Sequence, residues 1–480
     1  MRQSSGSVIG AIIIAAIALA GCEHFDPTLP YTVPDEFEAN SNTEPARVSE
    51  WWKRFGSGEL NAYMGAVSDG NLDVAVAVAR LEQSEAQSDV ALAALFPVLS
   101  YTDNSVRSRA SGTTVPGKIS PATYRSSFTK QINASYVVDV WGLNRDLLKA
   151  ALRNRDASSY QVEVVRLTAQ AAVANNFLIS AANFERVAIA KQNLVNAERV
   201  LRVIKERLAA GTASSLDVAQ QANLVATQRA AIPALRLTAE QSRTALALVL
   251  GRPPQGFHPE TRTTRRLRVP NVSPGLPSTL IVRRPDVRVA EEQMLADDAN
   301  VDAARKAFLP NITLTGFLGY QSAALSTLLR PESLIWNIAA AVTQPIFDGG
   351  KLRAQLRLSE AQRQELLETY RKAILQALTD VENALIALRE NAAREAAQKV
   401  AVSTAQQAFT LSEQRLAEGT IDLTTLITAQ NSLFQAQDSL IQIRLARLQA
   451  VVSLFQALGG DWDDADPNAE PGIVKVRKKD

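Results

Sequence analysis

The chain has one cysteine, two histidines and three methionines among its 480 residues. One cysteine rules out an internal disulfide, and so few ligands leave no basis for a Cys/His metal centre. Three methionines, the initiator included, give no thioether lining of the kind that takes copper or silver. Aromatic residues reach only 6%, which fits a helix-rich chain packed with Ala and Leu better than an aromatic-rich sandwich. Neither sign of charge dominates: 51 Lys and Arg face 49 Asp and Glu, so no basic field invites nucleic acid. No run of 18 apolar residues follows the N-terminal segment, and no membrane-spanning helix is expected. The mean hydropathy of −0.06 excludes a polytopic helical membrane protein. It does not exclude a β-barrel, whose strands alternate apolar and polar residues. Carboxylate pairs, nucleophile elbows, phosphate loops and metal-ligand spacings are also missing, so no enzyme and no cofactor are expected.

What is there begins with an address. Arg2 supplies a positive start and Val8 to Leu19 a short apolar stretch, which together read as a secretory signal over residues 1–21. Leu19-Ala20-Gly21-Cys22 resembles a bacterial lipobox, in which the Cys becomes the lipidated first residue of the mature chain. Glu23 follows, where Asp commonly signals inner-membrane retention, so an outer-membrane destination is favoured. Residues 23–48, rich in Pro, Asp, Asn, Thr and Glu, read as an extended tether, within a lipidated N-terminal tether and equatorial segment spanning 22–70.

The rest is written twice. Asp73 and Pro97 recur as Asp286 and Pro310, both 213 residues on. RLAAGT at 207–212 recurs as RLAEGT at 415–420, and Gly142 and Leu250-Gly251 recur as Gly350 and Leu458-Gly459, all 208 residues on. Such order at two offsets marks a tandem duplication, 71–251 and 278–459, joined by a Pro-rich linker at 252–277 and followed by a tail at 460–480. Each half opens with a helix, about 73–95 or 286–308, stopped by a proline. A strand hairpin follows, and then 68 residues without Gly or Pro, Leu143–Ala210 or Lys351–Glu418. As helix each is roughly 100 Å long, too long for a globular core, and implies a coiled coil or spanning element. Gly211 and Gly419 end these helices. A returning helix runs on to Gly251 or Gly459, and Pro233 is expected to break the first.

The hairpins alternate with period two. Ile312, Leu314, Gly316 and Leu318 share one face, as do Leu334, Trp336, Ile338, Ala340 and Val342. Phe128, Ile132, Ala134, Tyr136, Val138 and Val140 do the same, with Lys130 interrupting. Loops are expected at about 108–122 and 322–332. Strands of this length suit a tilted membrane barrel, although a soluble sheet capping the coiled coil has the same alternation. Four strands cannot close a barrel, and open edges cannot sit in lipid. The chain must therefore oligomerise, and three copies give twelve strands.

These residues resemble the TolC-type outer-membrane efflux channels, in the lipoprotein branch that serves resistance-nodulation-division pumps. The stretches that carry the resemblance are LAGC at 19–22, Trp51-Trp52 with Phe55, LPSTLIVRRPDVRVAEEQM at 276–294, AFLPNITLTG at 307–316, PIFDGGKLRAQL at 345–356 and the two RLAxGT turns. The resemblance covers nearly the whole chain. It implies an α+β membrane protein: a homotrimer with a twelve-stranded barrel in outer-membrane lipid, continuous with a periplasmic tunnel of long antiparallel helices. It implies as partners a periplasmic adaptor protein and an inner-membrane pump. It also implies that the turns after Gly211 and Gly419 form the gate and docking end, where Asp residues commonly line the pore. Asp217 keeps that position, whereas Thr425 and Thr428 stand where carboxylates are usual in the second turn, with Asp422 nearby. The gate would then depend on Asp217, Asp422 or apolar Leu426, with Arg207, Arg415 and Gln220 beside them.

Each of these residues has a plainer reading. Asp217 and Asp422 suit helix N-termini, and Arg207 and Arg415 suit helix C-termini. The run Arg262–Arg268 reads as a solvated part of the linker, and Trp51 and Trp52 as packing residues. His24 and His258 fall in irregular segments. Two other functions fit the architecture: an exit channel for a type I protein secretion system, and a coiled-coil lipoprotein without a pore.

Overall fold

A computed structural model describes residues 37–38, 50–111, 121, 123–272, 275, 277 and 283–460. The signal segment, Cys22, His24 and the C-terminal tail beyond 460 lie outside them.

The first elements among the described residues are a short 3₁₀ helix, Trp51–Phe55, and helix α1, Gly58–Gly70. Two copies of one unit follow. The first is α2 (Leu72–Ala93), β1 (Val98–Arg109), β2 (Tyr124–Val138), α3 (Leu143–Ala209) and α4 (Ser215–Val249). The second is α5 (Pro285–Lys306), β3 (Asn311–Ser322), β4 (Leu334–Thr343), α6 (Lys351–Ala417) and α7 (Leu423–Ala457). Equivalent helices have equal lengths: 22 residues for α2 and α5, 67 for α3 and α6, and 35 for α4 and α7. The long helices are therefore each about 100 Å.

Local chemistry sets these boundaries. Gly142 and Gly350 precede the long helices with φ of 82° and 87°, left-handed values that only glycine adopts without strain. The Asp139 carboxylate accepts from the amides of Asn144 and Arg145, and that of Asp348 from Gly350 and Leu352, so donors left free at each helix start are satisfied. Asn71 caps α2 by accepting from Asp73 and Val74.

Pro233 corrects an expectation. Helix α4 runs through it without interruption from Ser215 to Val249. Pro233 is exposed, while Ile232 and Ala239 beside it are buried, so packing on that buried face holds the helix where the sequence predicts a break.

The four strands form one antiparallel sheet in the order β1-β2-β3-β4, leaving β1 and β4 as edges. The two repeats join through β2–β3, with Ile132 opposite Leu318 and Ala134 opposite Gly316. Trp141 closes the helix-side end of the sheet, its indole N–H donating to the Pro310 carbonyl at 2.8 Å.

The linker around Thr264–Leu267 is held more firmly than the sequence suggests. Arg262, Arg265, Arg266 and Arg268 are exposed as expected, but the backbone between them is strapped down. Thr264 donates its amide and hydroxyl to Glu185, both at 2.8 Å, and Leu267 is buried. Arg444 donates to the carbonyls of Thr264 and Leu267, and to Glu395 at 2.8 Å. Arg447 and Lys399 also pair with Glu395. Burial pushes the Glu395 carboxyl up, but the three cations outweigh it and bring it down to about 2. Trp51 is fully buried, stacked on Phe455 at 5.2 Å, which bears out its reading as a packing residue.

Candidate functional site

Two surfaces stand out: the turns that end the long helices, and the two faces of the sheet.

The turns are built alike. Gly211 (φ 75°) and Gly419 (φ 73°) allow the chain to reverse. Thr212 and Thr420 then return their amides to the carbonyls of Arg207 and Arg415, at 2.8 and 2.9 Å. The caps that start the next helices are inverted between repeats. Ser214 is the N-cap of α4 and Asp217 its third residue, in a reciprocal capping box: the Asp217 amide donates to the Ser214 hydroxyl, and the Ser214 amide donates to the Asp217 carboxylate at 2.7 Å. In α7, Asp422 is the cap and Thr425 the third residue, and the Asp422 carboxylate accepts from the Thr425 amide at 2.8 Å and its hydroxyl at 2.6 Å. Those two donors hold the Asp422 carboxyl below its usual range. The carboxylate missing at 425 is thus present three residues earlier, with acid and hydroxyl exchanged.

The two hairpins pack on each other through α3 and α7. Val200, Ile204, Phe409, Leu416, Leu423, Leu426, Leu433 and Phe434 form one buried cluster next to the turns. Leu426 is therefore core and not a pore constriction: only 1% of it is exposed. Arg207 and Arg415 do not pair with the turn acids. The Arg207 guanidinium donates instead to the Leu416 carbonyl of the other hairpin, and Arg415 is exposed. Asp217 and Gln220 are half-buried, while Asp422, Thr425 and Thr428 are exposed, the Thr428 hydroxyl returning to the Thr424 carbonyl. Sequence reasoning missed the next residue along. Gln221 is fully buried and donates its amide to the Ala197 carbonyl at 3.0 Å and to the Gln430 side chain at 3.3 Å. Two ion pairs further tie the hairpins, Arg199–Glu413 and Arg186–Asp438, both at 2.6 Å.

The sheet register sorts its residues into two faces. Leu99, Tyr101, Ile132, Leu314, Leu318, Trp336, Ile338 and Val342 share one, and each is more than 40% exposed. Thr102, Gln131, Asn133, Thr313, Thr315 and Asn337 share the other. One side is an apolar band without cover among the described residues, and the other is mainly hydroxyls and amides, with Val98, Val106, Val137, Phe317 and Ile335 among them. That is the two-sidedness of a barrel between lipid and water.

The family model for outer membrane efflux proteins matches residues 66–252 and 276–460. The chain belongs to this family. It is an outer-membrane efflux channel and not an enzyme. It is 38% identical to the pyoverdine export outer membrane protein OpmQ of Pseudomonas aeruginosa, over 96% of this chain and 98% of that one. It is 28% identical to a probable outer membrane lipoprotein, SilC, of Salmonella typhimurium, over 92% and 96%. Among solved structures the outer-membrane channel OprN superposes with a TM-score of 0.84 at 25% identity, covering 91% of this chain and 99% of that one.

Within this efflux channel the RRPDV signature is a clamp. Arg284 is buried, donates to Asp286 at 2.7 Å and Asp380 at 3.0 Å, and reaches the Ala457 carbonyl at the end of α7 at 3.1 Å. It fastens the first and last helices of the second repeat to α6. His258 is exposed.

Proposed function

We propose that three copies of this chain close one twelve-stranded barrel, and that a periplasmic adaptor and an inner-membrane resistance-nodulation-division pump deliver small molecules to their common tunnel. The sheet carries this reading. It has an apolar face, a polar face and two unpaired edges, and each unsatisfied backbone group in hydrocarbon costs several kcal/mol. Pairing β1 of one copy with β4 of the next removes every edge. Cys22 anchors each copy by lipid, with 1–21 removed as signal, 22–70 as tether and equatorial segment, 71–251 and 278–459 as repeats, 252–277 as linker and 460–480 as tail. The turns at Gly211 and Gly419 are the gate and the adaptor's docking end. Opening swings the inner hairpins outward, and the adaptor's binding to the turns offsets the cost of parting them. The pump supplies the energy.

The relative named for pyoverdine export extends this to cargo: a wall of hydroxyls and amides suits large polar molecules of the pyoverdine class. Native mass measurement in detergent should give three chains, and planar bilayers should give discrete conductance. A conducting monomer, or a trimer without conductance, overturns the reading. For the cargo, this chain should restore pyoverdine release to a producer lacking its own outer-membrane exporter.

A further inference from the structure

The apolar face of the sheet stops being apolar at a defined level. Row by row toward the loop end, it reads Ile338–Gly316–Ala134–Leu99, then Trp336–Leu318–Ile132–Tyr101, then Leu334–Tyr320–Lys130–Asp103. Lys130 and Asp103 are paired across the strands. Beyond them the same face of the first hairpin carries Ser105 opposite Phe128, Arg107 opposite Ser126 and Arg109 opposite Tyr124. Both guanidiniums flank the Tyr124 ring, 5.9 and 5.8 Å from its centroid. Among the described residues no carboxylate pairs with either. At about 3.4 Å per residue and a tilt of ~40°, Arg107 and Arg109 stand roughly 10 and 16 Å above the Lys130 row. Three cations against one carboxylate thus climb the outside of the barrel from the top of its apolar band. Arg125, opposite Ser108, lies on the other face with the hydroxyl and amide wall.

From this placement we infer that Lys130, Arg107 and Arg109 form an outward-facing site for a phosphorylated glycolipid of the surrounding leaflet. Its acyl chains lie against Ile132, Leu318, Trp336 and Ile338, and its phosphates meet the three cations. The occupant is a membrane lipid and not free phosphate, because the cations continue an apolar surface that only acyl chains cover in a bilayer. Basic side chains just outside the hydrocarbon are the chemistry that recognises anionic headgroups. The flanking ring holds both guanidiniums at the surface and leaves their N–H groups for bidentate contact with phosphate. The site rests on the apolar face pointing outward, and on no assumption about cargo or pump.

The test uses the full-length assembled protein in detergent, with bisphosphorylated lipid A and its dephosphorylated form as probes, read by native mass spectrometry. Wild type should retain the phosphorylated glycolipid at least tenfold more tightly than the dephosphorylated one, and millimolar inorganic phosphate should not displace it. R107Q/R109Q should lose at least tenfold in retention, R107K/R109K should lose less than R107Q/R109Q because it keeps the charge without the fork, and R125Q should match wild type. The same spectra report the assembly state of each variant, so a failure to assemble is seen separately from a failure to bind. Equal binding of the two glycolipids by wild type, undiminished retention by R107Q/R109Q, displacement by free phosphate, or loss in R125Q alone would each overturn the site.

Discussion

Gln221 of the first hairpin donates its side-chain amide to Gln430 of the second, and both residues are completely buried. The Gln430 amide nitrogen and the Gln221 carbonyl oxygen have no protein partner. This is a fully buried polar joint beside the apolar cluster of the contact, next to the turns where two hairpins must part if a tunnel is to open. Its cost makes it separable: a contact that includes unsatisfied groups gains less from staying closed than a wholly apolar one.

Replacing one partner should therefore hurt more than replacing both. Gln221→Leu leaves Gln430 buried without its donor and should destabilise the helical domain by about 1–3 kcal/mol. Adding Gln430→Leu should recover most of that and hold the hairpins together more firmly, lowering channel opening by the adaptor. A double-mutant cycle on thermal melting in detergent, with conductance alongside, checks both. Additive losses would show that the two amides act independently.

Asp217 has two roles to separate, cap and charge. Asp217→Asn keeps an acceptor for the Ser214 amide while removing the charge; Asp217→Ala removes both. If three Asp217 carboxylates converge on the axis, Asn should raise basal conductance and reduce cation selectivity about as much as Ala does. If Asp217 only caps, Ala should cost about 1 kcal/mol of stability, and Asn should leave conductance at the wild-type level. Single-channel recording with reversal potentials distinguishes these outcomes.

The second turn gives a geometric check of the same gate. Thr425 and Thr428 are exposed within the chain. Thr425→Cys and Thr428→Cys, made in the assembled protein, should form disulfides between copies on oxidation and hold conductance at its closed level until reduced. Absence of cross-linked dimers for both variants would move the constriction away from this turn.

Glu395 ties the linker to the helices through acid strength. A carboxyl whose folded value is about 2, against an ordinary 4.5, adds stability that is fully present above pH 4.5 and is lost as the pH falls toward 2. Glu395→Gln strands Arg444 and Arg447 and should cost about 3 kcal/mol at pH 7. Melting curves of the two proteins should converge as the pH approaches 2. A constant gap from pH 7 to pH 2 would mean that the loss is one of packing.

Metabolic labelling with palmitate should tag the wild type and not Cys22→Ser. The variant should assemble less efficiently, yet remain in the membrane through its barrel.

Much of this architecture was legible because it depends on patterns that a sequence displays directly. Repeated Gly and Pro positions gave the duplication, and the Gly-free runs gave helices that end within a residue of expectation. Alternation in 311–318 and 334–342 gave the strand faces. Pro233 misled because its local penalty is outweighed by burial of Ile232 and Ala239, which no local rule contains. The strap over 260–268 was hidden for a related reason: its partners Glu185 and Arg444 lie far away in sequence. The exchange of acid and hydroxyl at the turns was within reach. The 208-residue offset sets Ser214 against Asp422 and Asp217 against Thr425, and a reciprocal pair keeps its hydrogen bond when its members swap.

Equal helix lengths in the two repeats bring both turns to the same level, joined by Arg207 and the Leu416 carbonyl. A ring of three chains would then present six turns in one plane. In backbone shape that collar repeats every sixty degrees; in charge it repeats every hundred and twenty, because the acid sits three residues into one helix and at the cap of the next. A partner that recognises shape would find six equivalent seats, whereas one that recognises charge would find two sets of three. Such a ring would offer two stoichiometries, and the chemistry of its partner would choose between them.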